Sequence, residues 1–366
     1  MIIHPHVSFF SSTRLDRVAL NYLTTLSLML MAVYFYCSIS HHFIESLSSS
    51  WYLPFSGRLI TTRFLLSCLV AFYSLALPFY YYFLPYKISS ANIIFRYSLD
   101  CLFLYYRPMG KSEKQAFLYV LLKFIFVPFI VNILIAHAAE INNSIVFVSR
   151  NYHVVPISDL PVFYNFYVHG ALMQLVFLVD VIPFFLGYLI DLPLFSNSVR
   201  SVDPTASGWF FCLACYPPFN QVTQAFFPSS MSDSFPSTGV LTPGVSAIGN
   251  LAVALSLLMY ALCSVSLGLK ASNLSSRGVV QTGLYSLIRH PAYFFKNLSW
   301  WISVTPIVYL LYVDGKNWFW VVFCMAAWTF IYAMRSITEE RHMLLTDPDY
   351  AVYCTKVKYR FIPYLF

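Results

Sequence analysis

One stretch, residues 272–301, brings together the residue types that could do chemistry beside a membrane segment. It reads SNLSSRGVVQTGLYSLIRHPAYFFKNLSWW. Arg289, His290 and Pro291 stand directly before a hydrophobic segment. Tyr285 lies one helical turn upstream of Arg289. A helix that begins at a proline presents free backbone N–H groups and the positive end of its dipole. We therefore expect a seat for a carboxylate or a phosphate at this point of the chain.

A second group of charged and aromatic residues lies nearer the end of the sequence. It begins with the pair Glu339-Glu340 and continues with Asp-Pro-Asp-Tyr at 347–350. It closes with a basic segment that ends in proline, Lys-Tyr-Arg-Phe-Ile-Pro at 358–363. Two hydrophobic segments separate the two groups and can form a helical hairpin. We therefore expect both groups at the same face of a membrane.

Together the two groups resemble the signature of the isoprenylcysteine carboxyl methyltransferases and phospholipid methyltransferases. The first matches as G-x-Y-x-x-x-R-H-P-x-Y over residues 283–293. The second matches as a glutamate pair followed by acidic-aromatic and basic-proline segments. The resemblance covers roughly residues 265–366. It implies an integral membrane enzyme that transfers a methyl group from S-adenosylmethionine.

The resemblance also implies which residues form the site. Arginine near the glutamate pair helps to position the acceptor group in this family, so the implied catalytic residues are Arg335, Glu340 and Arg341. For the two arginines an alternative is that they only anchor the helix at the positively charged side of the membrane. No metal ligand is expected. The implied cofactor-binding residues are Gly283, Tyr285, Arg289, His290, Pro291, Tyr293, Glu339, Glu340 and Tyr350.

These residue types suit the chemistry that the resemblance implies. A sulfonium methyl group is already activated, so the protein must mainly align donor and acceptor and exclude water. A carboxylate can meet the ammonium or the ribose hydroxyls of the cofactor. A cation or a helix N-terminus can meet its carboxylate. The glutamate pair and the Arg-His-Pro block supply these groups.

The composition places the chain in a membrane. Of its 366 residues, 59% are hydrophobic and 10% are charged, whereas about 25% are charged in a typical soluble domain. The eight cysteines are scattered, mostly in apolar segments, so a disulfide framework is not expected. Cys212 and Cys215 have the spacing of a zinc or redox pair, but no second pair accompanies them, and we interpret them as packing residues. We expect membrane lipids as partners and no nucleic acid.

Hydrophobic length and charge together predict the topology. A bilayer core requires about 20 apolar residues per helix. An eighth, ambiguous segment, 209–227, is apolar but contains Pro217-Pro218. If it crosses, most Lys and Arg residues of the loops fall on one side, as is typical of the cytoplasmic side. The seven clear spans are roughly 18–39, 64–84, 115–136, 165–190, 246–268, 292–312 and 318–337.

We therefore predict an all-α, polytopic transmembrane helix bundle of about eight spans, in the cytoplasmic or endoplasmic reticulum membrane. Both termini, including a short C-terminal tail, are predicted to be cytoplasmic. Residues 246–366 form the methyltransferase-like region, and residues 1–245 form an N-terminal transmembrane region that is a possible acceptor chamber. In that region His169 and Asp180 share one face of the fourth span. Such a face either lines a polar chamber or makes an interhelical hydrogen bond.

Departures from the family pattern concern the acceptor more than the cofactor. Leu284 stands where the family often has proline, and Phe294-Phe295 stands where it often has glycine. The small enzymes of the family also have fewer spans, so prenylcysteine is not carried over as the acceptor. We expect a lipophilic small molecule or a lipid-modified acceptor that arrives through the bilayer.

Two other functions remain open. Residues 353–363 also resemble the end of the membrane sterol reductases, which use NADPH and carry an Arg-His-x-Asn-Tyr type motif where this chain has residues 289–293. Those enzymes lack the paired glutamates, which favours the methyltransferase. The other alternative is a transporter or a non-catalytic lipid-binding protein. A transporter would typically show an internal repeat, and none is evident in the sequence.

Overall fold

The computed structural model describes residues 13–52, 59–84, 88–103, 107–228, 232–236, 241–363 and 365. The described chain is built almost entirely of helices, which confirms the predicted all-α membrane bundle. Six of the described helices are long and apolar enough to cross a membrane, by length and composition. The chain is therefore an integral membrane protein. It folds into two compact units, residues 1–128 and 129–366.

The described part of the first unit contains four helices and the start of a fifth. The second contains the remainder of the fifth and eight more in its described part. A π-helical turn, Tyr164–Val168, joins α6 to α7 without a break in the chain direction. In chain order the helices are α1 (Arg14–Ser38), α2 (His41–Ser48), α3 (Thr62–Phe83), α4 (Ser90–Phe103), α5 (Lys111–Asn151), α6 (Leu160–Phe163), α7 (His169–Leu189), α8 (Ala206–Leu213), α9 (Asn220–Phe226), α10 (Pro243–Leu267), α11 (Pro291–Val313), α12 (Trp318–Thr346) and α13 (Pro348–Lys356).

Short antiparallel strand pairs and buried polar contacts connect these helices. In the first unit β1 (Ser50–Tyr52) pairs with β2 (Leu59–Thr61), between α2 and α3. In the second unit β3 (Ser201–Val202) pairs with β4 (Ser275–Ser276). A buried amide pins α1 to α4, because Asn21 Oδ1 accepts hydrogen bonds from Asn92 Nδ2 at 2.8 Å and from the Ser89 N–H at 3.0 Å.

In the second unit α7 and α10 run parallel. Near their beginnings, Asn250 Nδ2 donates to Asn165 Oδ1 at 2.9 Å. Further along, the hydroxyl of Ser264, near the end of α10, donates to the carboxylate of Asp180 in the middle of α7. Between these polar pairs lies an apolar core of Met173, Val176, Val253, Ala254, Leu257 and Ala261. Two consecutive long helices that run parallel require a connection that returns along their whole length.

The described residues 203–228 and 232–236 lie along this return, but not as one helix. Asp203 lies at the end of the bundle where α7 and α10 finish, since its N–H donates to the Leu274 carbonyl at 2.8 Å. Asp233 lies at the opposite end, where its carbonyl accepts from His169 Nε2 at 3.0 Å. The segment predicted as a single span, 209–227, forms the short helices α8 and α9 instead. Pro217 and Pro218 cause the break, because proline has no N–H to donate and clashes with the preceding turn.

Side chains of the long helices satisfy the backbone of this returning segment. Trp328 Nε1 donates to the Phe227 carbonyl at 3.0 Å, and the Phe235 N–H donates to Asn250 Oδ1 at 2.7 Å. Irregular backbone at membrane depth is tolerated only where protein or a water-filled cavity surrounds it. These contacts explain how a segment of two short helices and irregular backbone can pack among the long apolar helices.

The other seven predicted spans are all helical. Six contain the helices that meet the length and composition requirement. The seventh corresponds to α11, which has 23 residues and so is about 34 Å long. It is not among the six, because serine, asparagine, lysine, tyrosine and tryptophan lower its mean hydropathy. The prediction is corrected in one respect, since the segment 209–227 forms two short helices and not one long one.

The predicted polar face of the fourth span forms structural contacts. His169 holds the returning segment, and Asp180 bonds to Ser264 of α10. Of the two alternatives for this face, the structure supports the interhelical hydrogen bond. The predicted boundary at residue 245 lies inside the second unit, since the compact units divide after Pro128. It stays a prediction about function.

The return of residues 203–242 predicts where inserted reporters will lie. Fusions after residues 205, 270 and 366 should report the same side, and the charge distribution predicts that this side is the cytoplasm. A fusion after residue 235 should report the opposite side. Paired phosphatase and fluorescent-protein reporters at each position measure this. If the fusions after 205 and 235 report one side, the segment between them does not cross the membrane.

Candidate functional site

A cavity of about 180 Å³ lies at the end of the second unit where α7 and α10 finish and α11 begins. Tyr260 and Ser264 of α10 form one wall, and Arg335 and Glu339 of α12 form another. The loop 270–280 and the motif loop 283–293 close the sides. Tyr350 and Tyr353 of α13 cover it from the C-terminal tail. Both groups of residues that the sequence singles out therefore meet at one cavity.

The motif loop has a compact local structure. Gly283 has φ +60°, a left-handed conformation that glycine adopts without strain, and it begins a 3-10 turn over Gly283–Ser286. The turn places Tyr285 inside the protein, where its carbonyl accepts the Tyr353 hydroxyl at 2.6 Å. Pro291 is the first residue of α11, where proline is favoured. The turn and the helix start thus orient the residues between them.

The C-terminal tail pairs with the motif loop through the backbone. The Arg289 N–H donates to the Tyr359 carbonyl at 2.9 Å, and the His290 N–H donates to the Arg360 carbonyl at 2.8 Å. The predicted cluster of free N–H groups at the start of α11 is therefore partly used by the protein itself. Ala292, in the first turn of α11, lines the cavity.

Glu340 is the centre of a buried ion cluster behind the cavity. It accepts from Arg289 Nε at 2.7 Å and Nη2 at 3.3 Å, and from Arg360 Nε at 2.8 Å. His290 Nε2 lies 3.3 Å from Glu340 Oε1, but the alignment does not make a hydrogen bond. The Glu340 side chain is 3% exposed and is not among the residues that line the cavity. In this structure it holds the motif loop and the tail to α12.

Glu339 points to the other side and lines the cavity. Its Oε1 accepts from the Tyr293 hydroxyl at 2.5 Å and from Arg335 Nε at 2.9 Å. Arg335 also donates from Nη2 to Asn273 Oδ1 at 2.8 Å, and its Cζ lies 4.8 Å from the ring centroid of Tyr293 and 5.1 Å from that of Tyr216. Arg335 is thereby fixed on every side. The two adjacent glutamates thus have different environments.

The loop 270–280 contributes a basic end to the cavity. Arg277 is 2% exposed; its Nε donates to Ser272 Oγ at 3.1 Å and its Nη1 to the Asn197 carbonyl at 2.9 Å. Its Nη2 is buried and has no hydrogen-bond partner. Lys270 also lines the cavity, and its Nζ lies 3.5 Å from the Val279 carbonyl oxygen.

The predicted site residues fall into two groups. Those that line the cavity are Tyr285, Arg289, His290, Tyr293, Arg335, Glu339 and Tyr350. Those that do not are Gly283, Pro291, Glu340 and Arg341. The first two of these shape the motif loop, Glu340 holds the ion cluster, and Arg341 is exposed on α12. A direct contact of these four residues with a ligand stays a prediction.

Several cavity residues were not predicted. Asn273 and Arg277 lie within the polar stretch 272–301, and their polarity beside a span was the available signal. Tyr216, Tyr260 and Ser264 belong to apolar segments and gave no signal. Burial raises the pKa of the Tyr285 and Tyr350 phenols, so both remain neutral hydroxyls at pH 7.

No cluster of three or more His, Cys, Asp or Glu side chains that could hold a metal ion occurs among the described residues. Cys212 and Cys215 are free thiols, buried and half-buried respectively. Cys215 packs against the core cluster around Trp300 and Trp328. These contacts agree with the packing role predicted for the pair.

Comparison with known proteins gives one match. Residues 242–357 match the family described as "Protein of unknown function (DUF1295)". The matched range contains α10, the motif loop, α11, α12 and α13, which together build most of the cavity. It covers about a third of the chain. No curated protein and no solved structure matches the chain.

The different environments of the two glutamates give a stability prediction. Glu340→Gln should lower the free energy of unfolding by about 3–5 kcal/mol, because it leaves Arg289 buried without a charged partner. Unfolding in a denaturing detergent, followed by circular dichroism, measures the loss. The matched control is Asp314→Asn, which breaks the exposed 2.9 Å ion pair with Lys316 in the α11–α12 turn. That change should cost less than about 1 kcal/mol. If both variants lose the same small amount of unfolding free energy, the buried cluster does not stabilise the fold as predicted.

Proposed function

We propose that the cavity binds S-adenosylmethionine and that the protein is an integral membrane methyltransferase. The observation that carries the proposal is Glu339. Its carboxylate is 24% exposed, lines the cavity, and is oriented by Tyr293 of the first group and Arg335 of α12. A fixed carboxylate at an aromatic cavity suits a ligand that combines an ammonium and a sulfonium with a nucleoside.

The residues present fit this cofactor chemically. Glu339 retains lone pairs that can accept from an ammonium or from ribose hydroxyls. The tyrosine rings of the lining offer faces that attract a cation such as a sulfonium. The neutral hydroxyls of Tyr285 and Tyr350 offer hydrogen bonds to a nucleoside. The cofactor, when bound, supplies an activated methyl group; the protein supplies orientation and a dry site.

Arg335 and Arg341 take different roles in this proposal. The guanidinium of Arg335 is 3% exposed and bonded to Glu339 and Asn273, so we assign it as a positioning residue that holds Glu339 in place. Arg341 is exposed. It suits the alternative reading as a cytoplasmic anchor of α12. Glu340 acts at one remove, through Arg289 and the tail.

The surroundings of the cavity favour a lipophilic acceptor. α10 carries large exposed apolar side chains along its length, at Ile248, Leu251, Leu255, Leu258 and Leu262. Such an apolar surface is stable in contact with lipid, and it extends to the end of the bundle where the cavity lies. An acceptor with an acyl or prenyl chain could lie along this surface while its polar head reaches the site.

The second candidate is an NADPH-dependent reductase. The observation that favours it is the basic end of the cavity, since Lys270 and Arg277 could also receive phosphate groups. The carboxylate of Glu339 favours the methyl donor, because a carboxylate repels phosphate. Direct comparison of the two cofactors decides between them.

Cofactor binding tests the main proposal. Purified protein in detergent should bind labelled S-adenosylmethionine in preference to NADPH. Glu339→Gln should weaken that binding about ten- to a hundred-fold, because one charge-assisted hydrogen bond contributes about 1.5–3 kcal/mol. The control is Glu140→Gln, at an exposed glutamate of α5, which should leave affinity unchanged. Binding of NADPH but not of S-adenosylmethionine would replace the proposal with the reductase.

Product analysis tests the acceptor class. Membranes that contain the protein should transfer labelled methyl groups into the organic-soluble or lipidated-protein fraction. Membranes with the Glu339→Gln variant should show at least a ten-fold lower rate at a donor concentration below saturation. Label found only in water-soluble products would refute a lipophilic acceptor, while leaving the cofactor assignment intact.

A further inference from the structure

Arg277 is a buried cation that has no ion-pair partner among the described residues. It is 2% exposed, and its two described hydrogen bonds go to neutral oxygens, Ser272 Oγ and the Asn197 carbonyl. Among the described residues no carboxylate lies within ion-pair distance of it. Its Nη2 is buried without any partner. Burial of an uncompensated charge is costly, so such a group usually has an anionic partner.

Arg277 lines the cavity together with Lys270 and Gly278. The two hydrogen bonds through Nε and Nη1 fix the guanidinium plane between the loop at 197 and the loop at 272. Nη2 is therefore held in one orientation before any ligand arrives. A pre-organised donor of this kind loses little entropy on binding.

A second cation and a glycine complete the environment. A Cβ atom at Gly278, which has φ +93°, would lie 3.4 Å from Lys270 Nζ and 3.1 Å from Arg200 Nη2. The absence of a side chain thus lets these cations approach the same backbone. Arg200 is already paired with Asp347 at 2.6 Å. Lys270 has no ion-pair partner among the described residues, so it and Arg277 leave this end of the cavity positive.

The acidic residues of the cavity do not neutralise this end. Asp203 also lines the cavity, but its Oδ1 accepts from the N–H of Thr205 at 2.8 Å and from the Thr205 hydroxyl at 2.7 Å. Glu339 is bonded to Tyr293 and Arg335. Neither carboxylate lies within ion-pair distance of Arg277 or Lys270, so the cavity has a positive end apart from its two carboxylates.

We propose that Arg277 and Lys270 form an anion-binding subsite that takes the anionic group of the ligand. Under the proposed function, on which this step rests, that group is the carboxylate of the methionine moiety. The ammonium of the same moiety then goes to Glu339. In the reductase alternative the same subsite takes a phosphate. In each case the chemistry is charge-assisted hydrogen bonding to an oxyanion from a fixed guanidinium.

The test compares ligands that differ only in the anionic group. S-adenosylhomocysteine and its decarboxylated analogue form one pair; 2′,5′-ADP and adenosine form the other. Affinities are measured for the wild type and for Arg277→Gln and Lys270→Gln. For Arg277→Gln we expect S-adenosylhomocysteine to bind about ten- to a hundred-fold more weakly, while the decarboxylated analogue binds as before. Lys270→Gln should act in the same direction, because it removes the second positive charge.

The remaining outcomes are decisive as well. Equal weakening of both members of a pair shows that Arg277 acts only on the fold and overturns the subsite. Unchanged affinity for S-adenosylhomocysteine in both variants overturns it too. If the wild type binds 2′,5′-ADP but not S-adenosylhomocysteine, and Arg277→Gln selectively loses 2′,5′-ADP, the subsite stands and the methyltransferase falls. If Arg277→Gln does not fold, Lys270→Gln alone decides by the same ligand pairs.

Discussion

The ion cluster of Glu340 with Arg289 and Arg360 is the interaction on which the C-terminal structure depends. Each partner comes from a different element: Glu340 from α12, Arg289 from the motif loop, and Arg360 from the tail. If Arg289 or Arg360 moved away from Glu340, buried charge would be left without its partner, which is costly. The cluster therefore fixes the start of α11 relative to α12 and holds the tail across both. The cavity is the space that these three elements enclose with α10.

The adjacent residues Glu339 and Glu340 of α12 have different roles in the site. Successive residues on a helix are rotated by about 100°, so Glu339 and Glu340 face different surroundings. Glu340 faces the motif loop and tail, and Glu339 faces the cavity beside Tyr293 and Arg335. A paired glutamate can thus provide one structural ion pair and one group for a ligand.

Much of the fold follows from the sequence, because hydrophobic length decides where a membrane helix forms. The seven clear spans are helical, and the motif residues Tyr285, His290 and Tyr293 meet Glu339 at one cavity. The structure of the returning segment could not be predicted from the sequence, because its composition is that of a membrane span but Pro217-Pro218 breaks the helix. The lack of an ion-pair partner for Arg277 could not be predicted either, because it depends on which carboxylates lie nearby in three dimensions. The ion cluster that Glu340 forms with Arg289 and Arg360 was not predicted either, because a motif marks a residue without revealing the direction of its side chain. A contact of Glu340 with the cofactor stays a prediction.

The path of residues 203–242 also bears on how the protein is made. This segment lacks a continuous apolar helix, so the short helices α8 and α9 satisfy only part of its backbone. The groups that satisfy it include Asn250 of α10, Ser303 of α11 and Trp328 of α12, all of which are synthesised afterwards. The segment can settle into the bundle only once those later helices have been inserted. These contacts of the earlier segment thus require helices that follow it in the chain.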